Sequence, residues 1–540
     1  MIRENRMRIR IQPHKLKALF AVAFIARLLQ LYTLLRKPLP VHSHTTRFLE
    51  VLARARQEGH TCLPQEKLIA EMCARYSARP ADVKAFLDEV VEQGQLVRDK
   101  GNYIFTPDTY QAEVTIAERL KYMGRNCQKI EAATVETFLA GYNKPLSVEQ
   151  KEAVRCAGQA GVMVLAGYPG TGKTTTVNAI LELFQAAGLI VHCAAPTGRA
   201  SQRMAEATGR SAETLHRLLH YSGEVKKYFW NFLFPVVGDV LIVDEFSMVD
   251  TWMMAQLSLV CTSRTRLIMV GDPEQLTSVD AGQVLKDLIE SEAIPVVRLT
   301  QVFRQDESSW IARNAAAIRS GRFEDIRFTK PGEGASDSFF IELESAKEIA
   351  RKLPLIINQS LPKRLGYDPI SQIQCLVPMK KGKLGTFNLN DILRGIGDGG
   401  TEIAGSINFR TGDKVIHIKN NRTLGVMNGE VGEVRQAVGE TLVIEFERGK
   451  TVTYPTSAWQ ELLHAFAITI HKSQGSQWPC MVIPIHSSMN RMLVRSLIYT
   501  AMTRAEKHIV FVGQKKAFFE AIKRVPVRHT GLSRKLRGQK

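Results

Sequence analysis

The chain has 540 residues, more than one hydrophobic core accommodates, so several domains are expected. A hydrophobic fraction of 45% and a charged fraction of 23% exclude a disordered or fibrous polypeptide. The formal net charge of +19 favours a polyanionic partner, nucleic acid or an acidic membrane surface, without choosing between them.

Residues 1–44 are a basic and apolar extension, in which Arg3, Arg6, Arg8, Arg10, Lys15 and Lys17 precede an apolar run at 18–35. A signal peptide or membrane anchor has this outline. Arg27 and Gln30 interrupt the run and no small-residue cleavage site follows cleanly, so a buried or interfacial helix fits at least as well. In 45–115, three sets of apolar residues are each spaced for one helix face: Phe48, Leu49, Leu52 and Ala53; Leu68, Ile69 and Met72; Val83, Phe86, Leu87, Val90 and Val91. Leu96-Val97 and Tyr103-Ile104-Phe105 flank the turn Asp99-Lys100-Gly101-Asn102 as a β-hairpin. Three helices and a hairpin suit a winged-helix-like α+β module, or equally a small packing domain without nucleic-acid contact.

Over 140–345 apolar strands alternate with amphipathic helices: Val162–Ala166, Leu189–Ala195, Val240–Val243, Leu267–Val270 and Val296–Leu299. This predicts an α/β domain with a parallel sheet. A second α/β domain is expected over 346–400 and 462–513, with strands at Gln374–Val377, Ala465–Ile470, Met481–Ile485 and His508–Val512. Between its parts, over 401–461, the period falls to two at Val415–Ile418, Val431–Arg435, Leu442–Phe446 and Val452–Tyr454, as in an inserted antiparallel barrel. Residues 514–540, with Lys515, Lys516, Lys523, Arg524, Arg528, Arg534, Lys535 and Arg537, read as a poorly ordered basic tail. The eight cysteines lack metal-ligand spacing and read as reduced thiols of a cytoplasmic protein with no structural metal.

Gly167-Tyr168-Pro169-Gly170-Thr171-Gly172-Lys173-Thr174 has the P-loop spacing and stands between a buried strand and a helix. Its glycines let backbone N–H groups curl around phosphate oxygens, and the helix N-terminus adds partial positive charge. Gly167, Pro169, Gly170, Thr171, Gly172, Lys173, Thr174 and Thr175 are therefore the expected ATP-binding residues, with Lys173 on the β- and γ-phosphates and Thr174 on Mg²⁺. Asp244-Glu245 emerges from the apolar Val240–Val243. Asp244 is expected on Mg²⁺ and Glu245 beside the attacking water.

A P-loop with carboxylates specifies an ATPase, not which one. Leu146-Ser147-Val148-Glu149-Gln150 precedes the P-loop strand; Ala195-Pro196-Thr197-Gly198-Arg199-Ala200 and Thr214-Leu215-His216-Arg217 follow later strands. Next come Gly271-Asp272-Pro273-Glu274-Gln275-Leu276 and Leu299-Thr300-Gln301-Val302-Phe303-Arg304-Gln305. The second α/β series carries Thr469-Ile470-His471-Lys472-Ser473-Gln474-Gly475-Ser476-Gln477-Trp478 and Tyr499-Thr500-Ala501-Met502-Thr503-Arg504-Ala505. In this order these segments resemble the RecD-type branch of the superfamily-one DNA helicases, from about Leu146 to Gly513 and more weakly back to about residue 45.

The resemblance implies two RecA-like domains enclosing ATP, an inserted SH3-like barrel and 5′→3′ movement on DNA in repair or recombination. It implies Gln150 and Gln477 at the nucleotide, Gln275 as γ-phosphate sensor, and Arg304 and Arg504 as arginines on the γ-phosphate. On single-stranded DNA it implies Pro196, Thr197, Gly198, Arg199, Thr214, His216, Thr469, His471 and Gln474, and in the barrel Asn421 and Asn428. The segment 221–237 occupies the place of the family's strand-separating hairpin, where Tyr228, Phe229, Trp230 and Phe232 either stack on a base at the fork or pack on the motor domain. Tyr168 replaces the usual P-loop glycine and Thr277 the usual proline; neither change removes a catalytic group.

Single-stranded DNA and single-strand/duplex junctions are the expected partners, with nuclease or repair-complex subunits as further ones. Glu342, Glu344 and Lys347 lack the aspartate motif of a nuclease, and His42 with His44 is too little for a relaxase metal site. An ATP-switched DNA-binding protein without unwinding is the remaining alternative.

Overall fold

The computed structural model describes residues 43–222, 227–228, 238–303, 309–329, 336–394, 409–421, 423–438 and 441–538. The apolar run at 18–35, Phe229, Trp230, Phe232 and Arg304 lie outside the described residues. Among the described residues no helix is long and apolar enough to cross a membrane.

The three expected N-terminal helices are Ser43–Gln57, Gln65–Tyr76 and Pro80–Glu92, the last opening on a proline whose fixed φ suits the first turn. Their apolar faces meet at Phe48, Leu52, Leu68, Met72, Leu87 and Val90. Asp99 builds the hairpin turn: its Oδ1 accepts from the N–H groups of Gly101 and Tyr103, both at 3.0 Å, and Asn102 takes φ 55°. A further strand, Cys62–Pro64, pairs antiparallel with Tyr103–Phe105 and completes a three-stranded sheet. Three residues are too few to show alternation in the sequence.

The helix Pro107–Asn126 then carries the chain into the first α/β domain, where its Ile116, Leu120 and Met123 join the core. Its Arg119 donates to the carbonyls of Ser258 (3.2 Å) and Cys261 (2.5 Å), satisfying the C-terminal end of the helix Thr251–Val260. The sheet has six parallel strands in the order Val296–Leu299, Val162–Gly167, Arg266–Gly271, Val240–Val243, Val191–Ala195 and Ala212–Thr214. The last is short and polar and carries no periodic signal.

The second sheet has five parallel strands, ordered Ser338–Glu342, Ala505–Gly513, Trp478–Ile485, Ile373–Val377 and Ala467–Thr469. Ser338–Glu342 belongs here, and Ile311, Ala317 and Ile318 of the helix Trp310–Ser320 enter the same core. The domain boundary expected at 345 is thereby corrected: the chain crosses between Leu299 and Trp310. Periodicity identifies a buried face but not the core that receives it. The insertion is a five-stranded antiparallel sheet ordered Lys450–Pro455, Thr441–Phe446, Val431–Val438, Lys414–His417 and Leu462–His464, with its own core around Val415, Ile444 and Tyr454.

The poorly ordered tail is also corrected. Lys515–Lys523 is a helix burying Phe518 and Ile522 in the second domain, and Leu532–Arg537 is a helix burying Leu532 and Leu536 in the first. Most of the basic heads that suggested a solvated tail have acceptors, Lys515, Arg524, Arg528, Arg534, Lys535 and Arg537 among them. Arg528 donates to the carbonyls of Gly282 (2.6 Å) and Ser278 (2.9 Å), and Arg534 to Asp99 (2.9 Å) while lying 3.9 Å above the Tyr103 ring. Lys535 is buried and pairs at 2.7 Å with Glu113, which also accepts from Thr61 Oγ1 (2.6 Å) and the Gly531 N–H (3.0 Å).

Removing one partner of a buried ion pair leaves an uncompensated charge. Lys535→Ala is expected to destabilise the fold by about 3–5 kcal/mol, read as a lowered denaturation midpoint, whereas the paired change Lys535→Met with Glu113→Gln costs less. Nearby, Asp287 is buried and accepts from Thr530 Oγ1 (2.8 Å) and Gln283 Nε2 (3.3 Å). Burial, followed by the charge of Glu113, raises its pKa from 3.8 to about 8. The folded chain keeps a proton there that the unfolded chain releases. Asp287 therefore makes stability fall by about 1.4 kcal/mol per pH unit between those two values. Asp287→Asn is expected to flatten this dependence in denaturant titrations from pH 5 to pH 8.

Candidate active site

The P-loop leaves the strand Val162–Gly167 and enters the helix Lys173–Ala186 through a turn in which Gly170 and Gly172 take φ 80° and 77°. Thr171 Oγ1 donates to the Tyr168 carbonyl at 2.8 Å and tightens the turn. Lys173 Nζ donates to the carbonyls of Gly167 (2.8 Å) and Tyr168 (3.1 Å). Thr174 and Thr175 follow, exposed at the helix start. Ser147 and Gln150 form a capping box at the start of Val148–Gln159, and a Cβ at Gly172 would lie 2.4 Å from Gln150 Nε2.

Glu149 accepts from the N–H groups of Thr300 (2.7 Å) and Gln301 (3.3 Å), and the Phe303 N–H donates to the Gly170 carbonyl at 2.8 Å. These bonds hold the Phe303 ring over the P-loop, 52% exposed. Phe303 was not singled out in the sequence, although an aromatic beside a motif arginine was the available signal. Tyr168, the departure from the usual glycine, packs its ring 3.5 Å beneath the guanidinium of Arg319, a residue of the second domain.

Asp244 stands at the end of Val240–Val243 and accepts from the Glu245 N–H at 2.8 Å. Burial, and next the charge of Glu245, push its pKa up to about 6. Glu245 has φ 49°, a left-handed conformation that costs a side-chain-bearing residue free energy. Buried Gln275 donates to Asp272 Oδ2 at 3.2 Å, and the same oxygen accepts from Tyr499 OH at 3.0 Å.

Arg504 crosses from the second domain. It is 3% exposed; Nη2 donates to Gln275 Oε1 at 2.9 Å, Nη1 donates to the Ser476 carbonyl at 3.3 Å, and Glu245 lies at 3.8 Å. Its Nε has no hydrogen-bond partner, and burial lowers its pKa despite Glu245. Between these groups lies a cavity of about 390 Å³ lined by Lys173, Thr174, Asp244, Glu245, Gln275 and Arg504. Pro169, Gly170, Gly172 and Thr175 border it from the P-loop, Phe303 from above, and Gln477 and Arg203 from the side. Arg203 is another residue that the sequence did not single out.

The residues expected on DNA lie elsewhere. Thr197, Thr214 and Thr469 share one local design: each stands at or just beyond the end of a parallel strand and accepts a backbone N–H, capping Gly198–Thr208, Leu215–Leu218 and Ile470–Ser473. Pro196 and Gly198 flank the first cap, and His216 and His471 sit in the capped turns of the other two, their pKa values lowered by burial. Gln474 is buried and donates to the Leu276 carbonyl at 3.4 Å. Asn421 donates to Glu461 at 2.9 Å, and Asn428 is exposed on the inserted sheet. Arg199 is buried, pairs at 2.5 Å with Glu447 of the insertion, and lies 4.9 Å above the Trp478 ring.

Two parallel-sheet α/β domains of RecA-like form, with a P-loop on one wall and an arginine from the other, define a nucleotide-driven motor of the helicase class. Residues 145–332 match the family model described as an AAA domain, and 464–512 that of the UvrD-like helicase C-terminal domain. The chain is 32% identical over 506 residues to the ATP-dependent RecD2 DNA helicase of Deinococcus radiodurans, covering 89% of this chain and 67% of that protein. It is 33% identical over 422 residues to the RecBCD enzyme subunit RecD of Mycolicibacterium smegmatis, covering 72% and 75%. A crystal structure of Pif1 helicase from Bacteroides with ADP-AlF3 and ssDNA aligns with a TM-score of 0.45 at 20% identity, covering 71% of this chain and 95% of that one. The chain belongs to the RecD family of ATP-dependent DNA helicases.

A side chain at Gly172 meets Gln150 and must also adopt a left-handed backbone, a strain of about 1–3 kcal/mol. Gly172→Ala is expected to weaken binding of a fluorescent ATP analogue about tenfold or more while the unfolding transition stays cooperative.

Proposed function

We propose that this chain moves 5′→3′ along single-stranded DNA, driven by ATP hydrolysis in the cleft, and opens duplex ahead of it during repair or recombination. The observation that carries this is Arg504 of the second domain bonded to Gln275 of the first beside Lys173, so that the nucleotide site is shared between two bodies. Lys173 holds the β- and γ-phosphates, and Gln275 and Arg504 read the γ-phosphate. Glu245 takes the proton of the attacking water. Gln150, Phe303 and Gln477 border the base and sugar. Arg304 is assigned to the γ-phosphate from its motif alone.

The exposed Thr174 hydroxyl and the Asp244 carboxylate are hard oxygen donors lining one cavity, a set that suits Mg²⁺. The ion would neutralise charge on the phosphates. The raised pKa of Asp244 fits a carboxylate whose cation completes its surroundings.

Arg504 stabilises the transition state only when the domains are closed, and hydrolysis removes the phosphate that bridges them. The strand path follows the caps at Thr197, Thr214 and Thr469, whose helical turns direct N–H groups toward phosphates. The inserted sheet serves as an SH3-like barrel along that path, with Asn421 and Asn428 at the strand. The N-terminal helices and hairpin serve as a winged-helix-like module. The relative named a RecBCD subunit favours a second role, as the motor of a helicase–nuclease assembly.

Both are tested by ATP-dependent unwinding of partial duplexes bearing a 5′ or a 3′ single-stranded tail, with wild-type chain and Lys173→Ala. Unwinding from the 5′ tail alone, abolished in the variant, is the expected result. Unwinding from the 3′ tail overturns the polarity. DNA-stimulated hydrolysis without unwinding assigns the chain to an assembly that supplies strand opening.

A further inference from the structure

Arg203 projects from the helix Gly198–Thr208 of the first domain toward the second and lines the nucleotide cavity. Its Nη1 donates to the Gly475 carbonyl at 3.2 Å and its Nη2 to Gln477 Oε1 at 2.9 Å. The planar fork of an arginine holds two acceptors on one turn at once, which a lysine cannot do. That turn holds Arg504 in place from outside its own segment. Gln477 Nε2 donates to the Thr503 carbonyl at 3.3 Å, the Ser476 carbonyl accepts from Arg504 Nη1 at 3.3 Å, and the Trp478 N–H donates to the Arg504 carbonyl at 3.0 Å. The fit is close: Gly475 takes φ 76°, and a Cβ there would lie 3.2 Å from Ala200 of the same helix. One helical turn earlier, Arg199 lies over Trp478. The turn at 475–478 therefore rests on the helix between two arginines, and the helix itself begins at the Thr197 cap.

We propose that Arg203 is a positioning residue that acts through Gln477 to set Arg504 over the nucleotide, joining the helix at the strand path to the arginine that completes the cleft. This rests on the ATP-driven function proposed above and goes beyond it, because it assigns the placement of Arg504 to a residue of the opposite domain. Gln477, with both ends of its amide engaged, is the intermediate in this relay as well as a wall of the cavity.

The test is steady-state ATP hydrolysis stimulated by a poly-thymidine oligonucleotide, together with the Kd of a fluorescent ATP analogue without DNA, for wild type, R203A, R203K, Q477A, R504A and R203A/R504A. A catalytic group displaced by about 1 Å loses about 10²-fold in rate. R203A is expected to lower kcat by about that factor while the analogue's Kd moves less than about threefold. R203K is expected to fall with R203A, since it keeps the charge but not the fork. R203A/R504A is expected to lose no more than R504A alone, because both act at one group. A Kd that rises in step with the fall in kcat makes Arg203 a direct phosphate ligand and overturns the proposal, as do an unchanged kcat or losses that multiply. If R203A does not fold, Q477A interrupts the relay from the other side, and unchanged turnover of Q477A overturns it. A wild-type rate no higher than that of Lys173→Ala instead overturns the ATPase function on which the proposal rests.

Discussion

Arg504 is a cation withdrawn from water at the meeting of two domains, and the cleft is organised around that fact. Removing a guanidinium from solvent costs several kcal/mol unless its surroundings replace the lost hydration. Here the replacement is a glutamine oxygen, a backbone carbonyl and a carboxylate at 3.8 Å, with Nε left unpartnered. Lys173 across the cavity leans on carbonyls of its own loop. A space bordered by these two cations and by Arg203, with the Asp244 and Glu245 carboxylates on one side, suits a polyphosphate. Glu245 keeps a left-handed backbone at the cleft, and the space beside Gly172 is taken by the Gln150 amide, which leaves no room for a side chain there.

The sequence and the structure agree where a signal is local. The P-loop, the Asp244 strand and the alternation of strands and helices depend on neighbours within a dozen residues, and the two parallel sheets follow from them. What escaped is non-local. Ser338–Glu342 reads as an ordinary strand, but only its pairing with Ala505–Gly513 shows which sheet it joins. The C-terminal lysines and arginines read as solvated because their acceptors, Glu113, Asp99 and the carbonyls near Gly282, are hundreds of residues away in the chain. Arg203 shows no motif because its partners lie in the other domain. The contacts of Arg199 with Glu447 and Trp478 are non-local in the same way.

The motif threonines repay attention to local chemistry. Thr197, Thr214 and Thr469 sit at the carboxyl ends of parallel strands, where an open α/β sheet offers its ligands a rim of helix starts. Their hydroxyl oxygens already serve backbone donors, so each residue shapes a turn before it meets anything else. One residue type in one backbone setting thus recurs in three separate segments of the chain.

The course of the last residues bears on how the cleft can open. The chain leaves the first domain for the second after Leu299 and returns to the first by way of 524–531, to be anchored there by Leu532, Leu536 and Lys535. Two bodies joined by a single tether can swivel about any axis through it. Joined at two separated points, they retain one easy rotation, about the line through both attachments. The C-terminal return thus supplies a second such point, on the first domain's own core, in addition to the crossing after Leu299.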